Sequence, residues 1–216
     1  AAYNKEQEGE RQDGESKDSP PRDASSNIAG SVGTDTEAEE PSTEEESTIE
    51  PGTHRVIKEN QQGISYETLF AEPLNGANRI EIVDPYIRRY HQVNNVMEFC
   101  DMVLRLQPPG EEVAVSLLTG ADVEEHDKQE QFLDELAESL EGTGVRFAYE
   151  ITWGSLHARS IKTDTGWKIS LDRGLDIFQA PAGRFDLGRA NPERRRCKPF
   201  EVTYLREEDL TFRVDV

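Results

Sequence analysis

His157, Arg159 and Asp164 follow one another as His-x-Arg-x4-Asp within Leu156–Phe178, a segment that reads as a β-hairpin. Side chains two apart on a strand share a face, which sets His157 beside Arg159. An imidazole next to a cation that holds phosphate is equipped for nucleophilic or acid–base phosphoryl chemistry without a metal. Asp164 would orient the histidine and fix its tautomer. Three fixed positions are moderately specific, and a surface hairpin that happens to carry a His and an Arg gives the same pattern.

A second cluster is Asp84-Pro-Tyr-Ile-Arg-Arg-Tyr-His-Gln92. It stands where a strand turns into a helix, the ligand-facing edge of an open α/β sheet. A helix N-terminus there favours an anion, helped by Arg88 and Arg89. Plain capping is the alternative: Asp84 and Pro85 start the helix, Tyr86 and Tyr90 pack, and His91 forms a hydrogen bond. His126, among Glu124, Glu125 and Asp127, reads as solvated surface, and Trp153 as an ordinary packing residue. No His/Cys/Asp group has metal spacing, and neither a P-loop nor a dinucleotide fingerprint occurs, so no metal and no cofactor are expected.

The elements that must position these residues alternate. His54–Glu59 reads as a strand, Tyr66–Leu74 as a helix capped by Ser65, and Arg79–Val83 as a strand ending at Asp84-Pro85. From Ile87 to Leu106, Val93, Val96, Met97, Cys100, Val103 and Leu104 recur at helical spacing. Val113–Leu118 is a continuous apolar run suited to an interior strand. Glu124–Glu141 aligns Phe132, Leu133, Leu136 and Leu140, and Val145–Ile151 alternates as a strand does. Leu156–Thr163 and Trp167–Leu171 form the hairpin about Asp164-Thr-Gly166, with Glu201–Leu205 and Leu210–Val214 as late strands. This succession predicts an α/β sandwich with parallel central strands.

Charge is distributed unevenly. Residues 1–50 hold 15 acidic and 4 basic side chains (4 − 15 = −11), and the remainder holds 29 and 20 (20 − 29 = −9). Residues 1–52 have almost no large apolar side chains and should form a disordered acidic linker, with a folded domain over 53–216. So acidic a chain repels polyphosphates at long range, which disfavours general nucleic-acid binding. Locally the sign inverts: residues 151–200 carry 10 basic and 5 acidic side chains, four of the basic ones in Arg194-Arg-Arg-Cys-Lys198. That run is either a solvated loop or an anion patch. Cys100 and Cys197 lack disulfide or metal context, so reduced thiols and a cytoplasmic setting are expected. No apolar run nears the ~18 residues of a membrane span.

In order along the chain stand Gly63-Ile-Ser-Tyr-Glu-Thr-Leu-Phe70, Ile82-Val-Asp-Pro-Tyr-Ile-Arg88, His91-Gln92, Phe99-Cys100, Leu117-Leu-Thr119, Ser155-Leu-His157-x-Arg159, Gly166-Trp-Lys-Ile169, Arg173-Gly-Leu-Asp-Ile-Phe178, Arg184-Phe-Asp-Leu-Gly188 and Arg196-Cys197. Together they resemble the phospholipase-D-like domain that follows MIT (microtubule interacting and trafficking) modules, over about residues 53–205. The resemblance implies a phospholipase-D-like α/β sandwich with a mixed sheet and a single, degenerate site. In it His157-x-Arg159 has Arg where active enzymes carry Lys. Where those enzymes continue Gly-Ser-x-Asn, this chain has Asp172-Arg-Gly-Leu-Asp176, which puts charge beside the phosphate pocket and counts against turnover.

The expected function is therefore a non-catalytic binding or assembly module for phosphate-bearing ligands, lipid headgroups or nucleic acid, or for partner proteins, either free in the cytoplasm or peripheral at a membrane. His157, Arg159, Lys168 and Arg173 would bind from the hairpin and Tyr86, Arg88, His91 and Gln92 from the facing edge, with Asp84 and Asp176 as further ligand-binding residues. The rival is a metal-independent phosphodiesterase or nuclease, with His157, Arg159 and Asp164 catalytic and a homodimer bringing two His157 together. The resemblance also implies an upstream MIT module or, by analogy with prokaryotic relatives, a Lon-like or AAA+ ATPase.

Overall fold

Strand-forming and helix-forming segments alternate from His54 to Arg206 in the computed structural model, which describes residues 49–207. Residues 1–48 of the expected linker and the expected strand Leu210–Val214 lie outside the described residues. The strands are β1 (His54–Ile57), β2 (Arg79–Val83), β3 (Val113–Gly120), β4 (Val145–Thr152), β5 (Ser160–Thr163), β6 (Trp167–Leu171) and β7 (Phe200–Arg206). The helices are α1 (Tyr66–Leu74), α2 (Tyr90–Leu106) and α3 (His126–Leu140).

All seven strands join one sheet in the order β1-β7-β6-β5-β2-β3-β4. β2, β3 and β4 are parallel, while β5 runs antiparallel to β2 and leads through β6 and β7 to β1. This is the expected α/β architecture with a mixed sheet. Alternation along the strands sorts the faces. Ile80, Ile82, Val115, Leu117, Ile161, Ile169 and Tyr204 turn to the three helices, where Phe70, Phe99, Val96, Leu133 and Leu136 meet them in one core. Burial of that apolar area is the main stabilising term.

Ser65 caps α1 as its sequence predicts, its hydroxyl accepting the Thr68 N–H at 3.2 Å. α2 starts at Tyr90 instead of Ile87, because the Ile87 amide is taken by Thr119 Oγ1 (3.2 Å) on the end of β3. Met97, expected in the core, is exposed; Phe99 and Met102 are buried in its stead. The first strand of the hairpin is also shorter than expected. β5 begins at Ser160, so His157 and Arg159 lie in the loop that leads into it. Chain contacts begin ahead of the composition change at Thr53: Ile49 N–H donates to the Glu72 carboxylate and Gly52 N–H to the Tyr204 carbonyl.

Candidate functional site

The C-terminal ends of β2 and β3 carry loops that are held by buried polar groups. Asp84, 1 % exposed, ends β2 and accepts the Tyr86 N–H at 3.0 Å and the Leu175 N–H at 3.2 Å, tying β2 to the loop after β6. Burial pushes its carboxyl up to about 6, against the lowering effect of those two amides and of Arg159; Asp176 adds to the rise. Gln129, fully buried on α3, donates to the Ile87 carbonyl (2.8 Å) and the Gly120 carbonyl (2.9 Å) and accepts the Asp122 N–H (2.8 Å). A buried amide with all these partners fixes the loop rigidly, since leaving any one unpaired is costly. Gln129 did not stand out in the sequence, because a single polar residue on an amphipathic helix carries no local pattern; Thr119 entered only as the end of the Leu117-Leu-Thr119 motif, with no role attached.

On this base Tyr86 projects outward, with the Arg159 guanidinium 4.5 Å and the Arg88 guanidinium 5.5 Å from its ring centre. The structure thus unites three candidates from two segments, Tyr86 and Arg88 from the Asp84–Gln92 cluster and Arg159 from the hairpin. Both cations gain from the ring face. Gln92 has a different role from the expected one: its Oε1 accepts the Arg88 N–H (3.0 Å) and the Arg89 N–H (2.9 Å), so it caps α2.

The His-x-Arg-x4-Asp residues are dispersed. His157 is exposed, and its Nε2 lies 3.0 Å from Ser155 Oγ. Arg159 has partners of its own, donating from Nη1 to the Asp172 carbonyl, while its Nε is enclosed without an acceptor. Asp164 sits at the opposite end of β5, where its carboxylate accepts the Asn78 N–H at 3.0 and 3.3 Å. It fastens the hairpin turn to the start of β2 and does not orient His157. Lys168 is likewise engaged elsewhere, paired with Glu207 at 2.5 Å. Arg173 stays near the Asp172 loop, its Nε donating to the Pro199 carbonyl at 2.8 Å. His126 is not free surface; its ring meets Trp153 at 4.9 Å.

Beside this cluster a cleft of about 860 Å³ opens between the first turns of α2 and the residues following β6. His91 and Asp176 line it, together with Arg189, Arg194 and Arg196. Two other cations of its wall are already neutralised: Arg195 pairs with Glu98 (2.5 Å) and lies 5.2 Å from the Phe178 ring centre, and Lys198 pairs with Asp176 (2.6 Å). Arg194 and Arg196 have no ion-pair partner among the described residues. The basic run is therefore split in function, with Arg195 and Lys198 holding the wall in ion pairs and Arg194 and Arg196 outside such pairs, the charge of Arg196 acting on Asp186 across the cleft lining. His157 is not one of the lining residues. Both cysteines are buried thiols, pushed up by burial to about 12 at Cys100 and about 11 at Cys197, and no metal-type cluster occurs among the described residues.

The chain resembles known proteins to different depths. MIT domain-containing protein 1 of Mus musculus is 40 % identical over 144 residues, which cover 65 % of this chain and 56 % of that protein. The match thus spans little more than half of the relative's length. Among solved structures, a polyphosphate kinase from Porphyromonas gingivalis superposes with a TM-score of 0.35 at 11 % identity, over 70 % of this chain and 23 % of the kinase. Phosphatidylserine synthase of Haemophilus influenzae Rd KW20 gives 0.38 at 8 % identity, over 72 % of this chain and 35 % of the synthase. A family model for the phospholipase D-like domain at the C-terminus of MIT matches residues 63–206, from the turn before α1 to the end of β7. The chain belongs to that family.

Proposed function

We propose that this domain holds phosphate-bearing ligands, phospholipid headgroups above all, without hydrolysing them. One observation carries the reading: cations outside ion pairs line a cleft while the hydrolytic parts stand apart. Phosphoryl transfer through histidine needs a positioned nucleophile, a second proton carrier and an orienting group in mutual reach. His157 has Ser155 as its partner, and Asp164 serves the far end of the hairpin. A phosphate needs only donors, which Arg194, Arg196 and His91 offer.

The cleft's rim favours a lipid source. Phe185 is 93 % exposed and Leu187 64 %, between Arg184 and Arg189. Apolar side chains flanked by cations suit the interface of an anionic bilayer. No described helix is long and apolar enough to cross a membrane, so attachment would be peripheral. The overall acidity of the chain, −20, works against long nucleic acids and anionic bilayers alike, so the lipid contact rests on the local cations and apolar side chains of the rim. Placement behind an MIT module or an ATPase in a longer protein belongs to the same proposal.

The test uses vesicles of phosphatidylcholine with and without a phosphoinositide, a single-stranded oligonucleotide, and a chromogenic phosphodiester with EDTA present. Binding should need the anionic lipid, weaken as salt rises, and fall about tenfold or more in the double variant Arg194→Glu/Arg196→Glu. His157→Ala should leave it within about twofold, a negligible free-energy change. Hydrolysis lost in His157→Ala would overturn the non-catalytic reading, and oligonucleotide binding tighter than vesicle binding would overturn the lipid assignment.

A further inference from the structure

Two large apolar side chains stand exposed where β3 and β4 end. Val123, in the loop from β3 to α3, is 82 % exposed, and Trp153, directly after β4, is 67 % exposed. Both are held in place. The Trp153 ring rests on His126, the first residue of α3, with ring centres 4.9 Å apart. Val123 belongs to a loop that buried Gln129 clamps at the Gly120 carbonyl and the Asp122 N–H. In the same loop the Asp122 carboxylate accepts the Glu124 and Glu125 N–H groups at 3.0 and 3.1 Å. Tryptophan is enriched at the energetic centres of protein interfaces, and side chains ordered in advance lose little entropy on contact.

The charge around them is one-sided. Arg89 pairs with Asp122 and Glu125, and Lys128 pairs with Glu125 at 2.6 Å, so both cations are neutralised within the chain. Glu124, Asp127 and Glu130 have no ion-pair partner among the described residues. Asp127, Glu130 and Asp134 recur at helical spacing along one side of α3. That side meets β4, because Asp134 accepts the Tyr149 hydroxyl at 2.5 Å. Trp153, carried by β4 onto His126, therefore stands at the head of an acidic stripe.

We propose that this surface docks a partner protein through a segment in which Lys or Arg flanks an apolar side chain. Trp153 and Val123 supply the apolar contact, which such a segment covers from water. The open face of the Trp153 indole takes a cation, since its π-cloud attracts ammonium and guanidinium groups. Glu124, Asp127 and Glu130 supply the counter-charge and draw the segment in at low salt. Phosphate-bearing ligands are repelled by the same carboxylates. This surface thus has an occupant of opposite sign to that of the cleft at Arg194 and Arg196, and the domain can hold both at once.

The experiment is a nuclear magnetic resonance titration of the full chain with a short amphipathic Lys/Leu peptide, and with its Glu/Leu counterpart. Saturable shifts are expected at the Trp153 indole N–H and at the Val123, Glu124 and Asp127 amides with the Lys/Leu peptide alone. Trp153→Ala and the double variant Glu124→Gln/Asp127→Gln should each raise its dissociation constant about fivefold or more. These side chains are exposed, so both variants should keep the spectrum of the folded chain elsewhere. Glu59→Gln/Glu111→Gln removes two exposed carboxylates far along the chain and should change the affinity by less than about twofold, as diffuse attraction would. Shifts confined to the acidic residues 1–50 overturn the proposal. So does an affinity that ignores both Trp153→Ala and the Glu124/Asp127 variant, one that the control pair weakens equally, or equal binding of the Glu/Leu peptide.

Discussion

Gly174→Ala is expected to remove roughly 3–5 kcal/mol of folding stability, a large part of what a domain of this size has. Two costs combine. Gly174 has φ +62°, and a side chain there is strained by about 1 kcal/mol whatever its surroundings. The added Cβ would also sit 1.9 Å from Asp84 Oδ2, an overlap no relaxation of the glycine itself can relieve. The carboxylate must move, and it cannot do so without abandoning the Tyr86 and Leu175 amides. A buried donor left unpaired costs about 1–3 kcal/mol. Gly76→Ala is the matched control: its φ is +74° and its Cβ would meet nothing within 4 Å. It should lose only the conformational part, about 1 kcal/mol. Urea unfolding of both variants decides the matter; equal losses would mean that the Asp84 contact has no energetic weight.

That contact also shows what the chain's own pattern discloses. Local periodicity sufficed for α1, whose bounds and Ser65 cap follow from its residues, and for β2, because a helix or strand is specified by neighbours three, four or two positions away. The ordered motifs from Gly63 to Cys197 carried the fold. Asp84 and Gly174 meet across 90 positions, and nothing in either neighbourhood announces the other. The same holds for Asp164 and Asn78, joined over 86 positions. Spacing suggested that Asp164 serves His157, yet the strand break at Ser160 and the length of β5 carry it to the far end. Composition did mark the cationic stretch that holds Arg194 and Arg196. It could not tell them from Arg195 and Lys198, since ion pairing with Glu98 and Asp176 is settled by packing.

Asp84 itself should make the domain lose stability as pH rises. Its carboxyl stands at about 6 in the folded chain against 3.8 as the ordinary value, so between those limits the folded state binds the proton more tightly than the unfolded state. The resulting stabilisation is complete below about pH 4, declines as pH passes through 6 and is gone above it. A shift of this size corresponds to about 3 kcal/mol. Asp84→Asn removes the titration. The amide can accept only one of the two N–H groups that Asp84 accepts, which imposes a loss that does not vary with pH. Other acidic side chains of this strongly acidic chain contribute pH dependence of their own, shared by both proteins. Subtraction therefore isolates Asp84. Unfolding free energies at pH 4, 5, 6 and 7 should converge as pH rises, with the unaltered chain losing about 3 kcal/mol more than the variant over this range and no further change above pH 7. Parallel curves would show that Asp84, although buried, is ionised as readily in the fold as in water.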